Sequence, residues 1–170
     1  MLSVTGGVWE DTLESAVPQS ETDVLLLAIA KEKVSFARLA AAAQACTDPK
    51  ARRLYNQLAL DGLKHLLTLV SLMDGLADDW LAQLDLRLPL TDLPDPLSQT
   101  QEAILRFTTE IERTQSFFSR LAKGANREEL SSLMEHLRDD EEDHRTRLLS
   151  RLHGMEAGRP FAARRLPAWR

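Results

Sequence analysis

Cysteine is nearly missing from this 170-residue chain. The single one, Cys46, excludes an internal disulfide, a four-cysteine zinc site and a rubredoxin-type iron site. Glycine and proline are scarce, at 7 each, and aromatic residues make up only 5%. That composition disfavours a turn-rich all-β fold and favours helices. No apolar run approaches the roughly 18 residues that a membrane span needs. Residues 1–20 hold no Lys or Arg, so the charged start of a secretory signal is missing and the expected compartment is the cytoplasm. Basic charge is also in deficit. A net charge of −5 argues against general nucleic-acid binding.

What is present is 44% apolar and 28% charged, enough for one globular domain with a substantial core. Charge is uneven along it. From Arg145 onward seven arginines meet one acid, while residues 1–144 carry 14 basic and 25 acidic side chains. The end of the chain therefore reads as a cationic helix terminus followed by a basic tail.

The punctuation predicts four helices. Residues 1–19, with Gly6-Gly7 and Pro18, read as a lead-in. Ser20 with Asp23 resembles a capping arrangement that opens a first helix running to about Ala45. Thr47-Asp48-Pro49 offers a cap, assigned to Thr47, with proline in the first turn of a second helix that reaches about Met73. Gly75 to Leu97, crowded with Pro89, Pro94 and Pro96, reads as a long connection with a short helix near Trp80 to Leu84. Ser98 with Gln101 makes a capping box for the third helix, which Gly124 ends. Asn126 caps the fourth and Gly154 closes it. The expected organisation is thus a four-helix bundle over 20–154, with a basic tail at 155–170. Two short-turn pairs joined by one long crossover have the connectivity of ferritin-like bundles.

An internal repeat organises the helices. Positions 25, 29, 32, 36, 39 and 43 read Leu, Ile, Glu, Phe, Leu, Ala; positions 103, 107, 110, 114, 117 and 121 read Ala, Phe, Glu, Thr, Phe, Leu. Each set is one helical face, with a lone glutamate, Glu32 or Glu110, interrupting a mostly apolar stripe. The second and fourth helices repeat with an offset of 79, which lays Leu58 to His65 over Leu137 to His144 and Thr47 over Asn126. A carboxylate inside an apolar face costs several kcal/mol unless it is paired or binds a cation. Glu141-x-x-His144 aims an oxygen and an imidazole at the same axis. Four-helix dimetal sites use one Glu from each of two helices and Glu-x-x-His from each of the other two.

At these residues the chain resembles the rubrerythrin-like branch of the ferritin-like superfamily, over about residues 22–153. Leu137-Arg138-Asp139-Asp140-Glu141-Glu142-Asp143-His144 carries most of the resemblance. Ala28-Ile29-Ala30-Lys31-Glu32, and Glu110 followed by Phe117, add to it. The resemblance implies a carboxylate-bridged centre of two irons per chain, with manganese or zinc as alternatives. It would act on peroxide or dioxygen, or oxidise ferrous ion. The implied ligands are Glu32, Glu110, Glu141 and His144, with Asp61 and His65 completing an asymmetric second position. The second helix departs from the pattern. Position 62, where the family presents glutamate, is Gly62, and Asp61 stands beside it as the substitute. No rubredoxin module is present, so electrons would come from a separate protein or from ferrous iron itself.

Plainer readings stand beside these. Glu141 also belongs to the acidic run Asp139 to Asp143, which reads as a solvated face. Lys33 and Arg38 offer Glu32 a structural ion pair, and His65 alone reads as a core histidine. Glu112, His136 and His153 read as surface residues. The rival to a metal enzyme is a non-catalytic structural or interaction bundle with a degenerate site, favoured by Gly62. Pairing through helix faces predicts a homodimer.

Overall fold

The computed structural model describes residues 15–73 and 100–157. Four helices account for nearly all of them: α1 (Glu21–Ala45), α2 (Pro49–Ser71), α3 (Thr100–Gly124) and α4 (Glu128–Ala157). The molecule is an all-α four-helix bundle with no strand among the described residues. The expected Ser98 cap and the short helix near Trp80 lie outside the described residues.

Local chemistry sets the helix starts. Ser20 caps α1 by accepting from the Asp23 amide at 3.1 Å, and Asp23 in turn accepts from the Gln19 amide at 3.0 Å. Asp48, not Thr47, caps α2. One of its oxygens accepts from the amides of Lys50 at 2.9 Å and Ala51 at 2.7 Å, with Pro49 behind it in the first turn. The carboxylate beats the hydroxyl because its second oxygen also takes a 2.6 Å bond from Arg151 of α4. The α4 start moves likewise. It begins after Arg127, whose carbonyl accepts from Ser131, rather than after Asn126. Both corrections are one residue, so the offset of 79 survives. Gly154 does not close α4, which runs on to Ala157. Leu152 and Met155 on either side of the glycine pack into the core and outweigh its weak helix propensity.

α1 packs along α2, and α3 along α4; the two pairs meet through α1 with α3 and α2 with α4. The apolar stripes form two clusters. One gathers Leu25 and Ile29 of α1 with Leu69, Phe117, Leu121 and Leu130. The other gathers Leu39 and Ala43 of α1 with Tyr55, Ala103, Ile104 and Leu148. The start of α1 therefore lies beside the end of α3, so these helices are antiparallel. The end of α2 and the start of α3 accordingly lie at opposite ends of the bundle, as a long crossover requires. Between the two clusters sits a layer of charged side chains.

Candidate metal centre

Each helix contributes to that middle layer. Glu32 of α1 is 1% exposed, and Glu141 and His144 of α4 are each 5% exposed. Neither oxygen of Glu32 makes a hydrogen bond, nor does Nδ1 of His65 from α2. These groups face one another, Nδ1 standing 3.3 Å from Oε1 at ion-pair distance but without hydrogen-bond alignment. On the other side, Nδ1 of His144 lies 3.6 Å from Oε1 of Glu141. The two imidazoles are stacked, with centroids 6.1 Å apart.

The outer nitrogens complete a two-fold pattern. His65 Nε2 meets Oδ2 of Asp140 at 2.9 Å, and His144 Nε2 lies 3.6 Å from Oδ2 of Asp61. Asp61 and Asp140 are related by the same offset of 79 as the histidines. Each ring therefore turns Nδ1 to an interior glutamate and Nε2 to an aspartate on the other histidine-bearing helix, α4 for His65 and α2 for His144. A histidine that binds a metal through one nitrogen commonly gives its other N–H to a carboxylate, which fixes ring orientation.

Asp61 is thus placed differently from its sequence expectation. Its carboxylate accepts from Lys64 at 2.7 Å and from Arg147 at 3.0 Å, on the outer side of His144. It does not fill the place of the missing glutamate at position 62. A Cβ built on Gly62 would stand 3.4 Å from Oε2 of Glu32, so this glycine faces the interior carboxylate directly. Glu110 of α3 also departs from expectation: its Oε1 accepts a 2.7 Å bond from the Arg38 guanidinium. Arg38 was expected near Glu32; α1 instead turns it toward α3. Glu110, Glu32, Glu141 and His144 nonetheless line one small cavity of about 30 Å³ beside Gly62 and Thr114. Glu112 lies outside, exposed and paired with Arg145 at 3.0 Å.

Burial sets the electrostatics. Desolvation raises the Glu32 carboxyl above its ordinary 4.5, and the neighbouring Glu141 adds to the rise, with His65 only partly offsetting it. Burial pulls His65 down, but Glu32 and Asp140 outweigh it and hold the imidazole at about 9. In Asp61 burial acts upward, yet Lys64 and Arg147 leave its carboxyl below the usual 3.8.

Asp140 and Arg38 were missed by sequence reasoning as parts of this layer. Asp140 was legible, because the repeat that pairs the histidines also pairs Asp61 with Asp140. Among the described residues no group of three or more His, Cys, Asp or Glu side chains is arranged to hold a metal ion. The glutamates instead rest against their histidines or, for Glu110, against Arg38. Outside the layer a groove of about 400 Å³ between α2 and α4 reaches His65 and His144 past His136, Asp140 and Asp143. No described helix is long and apolar enough to cross a membrane.

No protein-family profile and no curated protein matches the chain. Among solved structures, it is similar to a hypothetical protein from Pyrococcus furiosus, with a TM-score of 0.63 and 19% identity over 88% of this chain and 98% of the other. At that identity the likeness shows a shared helical-bundle fold and no activity.

Proposed function

We propose that this chain is a rubrerythrin-like nonheme metal protein that binds iron in the middle of the bundle and acts on peroxide, dioxygen or ferrous ion. The observation that carries the reading is the buried Glu32 carboxylate. Neither of its oxygens has a hydrogen bond, and it faces a histidine whose far nitrogen Asp140 already holds. A buried carboxylate that has an ion-pair partner in His65 but no hydrogen bond to either oxygen keeps lone pairs that a bound cation would take up. The oxygen and imidazole donors suit iron, with manganese or zinc as alternatives.

Glu32, His65, Glu141 and His144 would hold the ion once their side chains turn together, since as they stand no three of the described His, Cys, Asp or Glu side chains are arranged to do so. Bound iron would supply one-electron redox chemistry toward an oxidant. The chain's own residues do the rest. Asp140 orients the His65 ring through its 2.9 Å hydrogen bond, Asp61 sets a negative charge 3.6 Å from His144 Nε2, and the leucine and phenylalanine clusters pack above and below the layer. The groove between α2 and α4 gives small polar solutes an approach to the outer histidine faces. A separate electron donor, a homodimeric assembly and a cytoplasmic setting belong to the same proposal.

Ferrous iron supplied anaerobically is expected to remain bound after gel filtration, and Glu141→Ala to lower the affinity about tenfold or more. Iron at background level in both proteins, by elemental analysis, overturns the reading. The second reading is a non-catalytic bundle with a degenerate site, favoured by the 2.7 Å bond between Arg38 and Glu110 and by Gly62. It predicts no metal retention by the parent protein.

A further inference from the structure

The repeat makes it possible to count metal positions, and this count rests on the metal-binding reading above. A two-metal site of this architecture draws on four glutamates and two histidines, one Glu from each of two helices and a Glu-x-x-His pair from each of the others. Two of the four glutamate places are compromised here, and by different means. At position 62 the side chain is missing altogether. At position 110 the carboxylate is present at the cavity wall but is held by Arg38 at 2.7 Å. The two losses leave Glu32 with His65 and Glu141 with His144 as the intact pairs.

The Arg38 side chain is 18% exposed and its guanidinium keeps its proton in proteins. A divalent ion approaching Glu110 must either break the ion pair or settle beside a like charge in a partly buried layer. Both oppose binding. Gly62 takes one oxygen donor out of the layer and presents bare backbone toward Glu32, whose Oε2 would lie 3.4 Å from an added Cβ. We propose that Arg38 is a resident cation occupying the electrostatic place of a second metal, so that each chain holds one metal ion rather than two. Arg38 is then a specificity-determining residue that acts on Glu110 and touches no metal itself.

Elemental analysis and anaerobic titration with ferrous iron, and in parallel with zinc, test this on the full chain. The parent is expected to bind about one ion per chain. Arg38→Met keeps the apolar stem and removes the charge. It is expected to tighten binding of a second ion by about tenfold or more, and the double variant Arg38→Met, Gly62→Glu to bind about two. Cobalt substitution gives a second readout, because a new visible absorption band should accompany the second ion only in the variants. A parent that binds two ions overturns the inference while leaving the metal-binding reading intact. A parent that binds none overturns that reading and the inference with it. A double variant that is helical by circular dichroism but stays at one ion overturns the role given to Arg38 and Gly62. If the double variant does not fold, Arg38→Met alone decides: unchanged affinity for the second ion overturns the inference.

Discussion

Glu32 places its carboxyl where both oxygens are buried and neither has a hydrogen bond. Burial outweighs the neighbouring His65, which is why its carboxyl is raised. A raised acid subtracts from stability above its unfolded value, because the folded state penalises the ionised form that the unfolded chain tolerates. Glu32→Gln is therefore expected to stabilise the metal-free protein at neutral pH by about 1–3 kcal/mol. The same substitution is expected to abolish any rise in unfolding midpoint on adding ferrous iron or zinc. Urea denaturation with chelator and with metal reads both effects. A destabilised, still metal-responsive variant would show that Glu32 is a structural partner of His65 and nothing more. Gly62 gives a contrasting case. Its backbone has no positive φ, and an added Cβ meets Glu32 Oε2 at 3.4 Å, an ordinary contact. Gly62→Ala should gain up to about 1 kcal/mol from helix propensity without closing the site.

Helix starts show how the chain was readable element by element. Serine, aspartate and proline at the right offsets were enough to place the starts of α1 and α2 to within a residue, because capping is a local reaction between a side chain and the next three amides. What the local pattern missed at Asp48 was its second role, the 2.6 Å bond to Arg151 of α4, which is distant in sequence. The same distinction runs through the site. Glu32, His65, Glu141 and His144 were legible because each interrupts an apolar face, and the repeat puts the faces in register. The grip of Arg38 on Glu110 was not, because it depends on the rotation of α1 against α3, which spacing along one helix does not encode. Asp48→Ala is expected to cost about 1–2 kcal/mol from the lost cap. Its pH dependence follows from the shift. The amide of Ala51 first, then Arg151 and Lys50, hold the carboxyl below 3.8. A lowered acid contributes stability that is complete above the unfolded value and is lost as pH falls through the folded one. The gap between parent and Asp48→Ala in denaturant titrations should be full at pH 7 and close as pH falls below 3.8. A gap that persists in acid would assign the loss to packing around Arg151 instead of the charged cap.

Across the whole molecule, a charged layer divides the core into two apolar clusters that α1 to α4 all cross. Each cluster holds fully buried leucines, Leu69 in one and Leu58 in the other, so neither half is a loose appendage of the other. On the metal-binding reading proposed above, a cation bound in the layer between them would add stability to a core whose buried Glu32 carboxyl burial alone disfavours. Mass action fixes the size of that gain: at a free metal concentration about 100 times the dissociation constant, unfolding becomes about 2.7 kcal/mol harder. Because α1, α2 and α4 each lend a side chain to the layer, the gain should appear in the single cooperative transition of the bundle and not as a separate local event. Glu141→Gln should remove it. Asp48→Ala, at the α1–α2 turn with no group in the layer, should lower the baseline and leave the metal gain intact, since separated sites add. Thermal unfolding of the parent and both variants, with and without ferrous iron under anaerobic conditions, measures this directly. Equal metal gains in all three proteins would place the cation elsewhere on the chain.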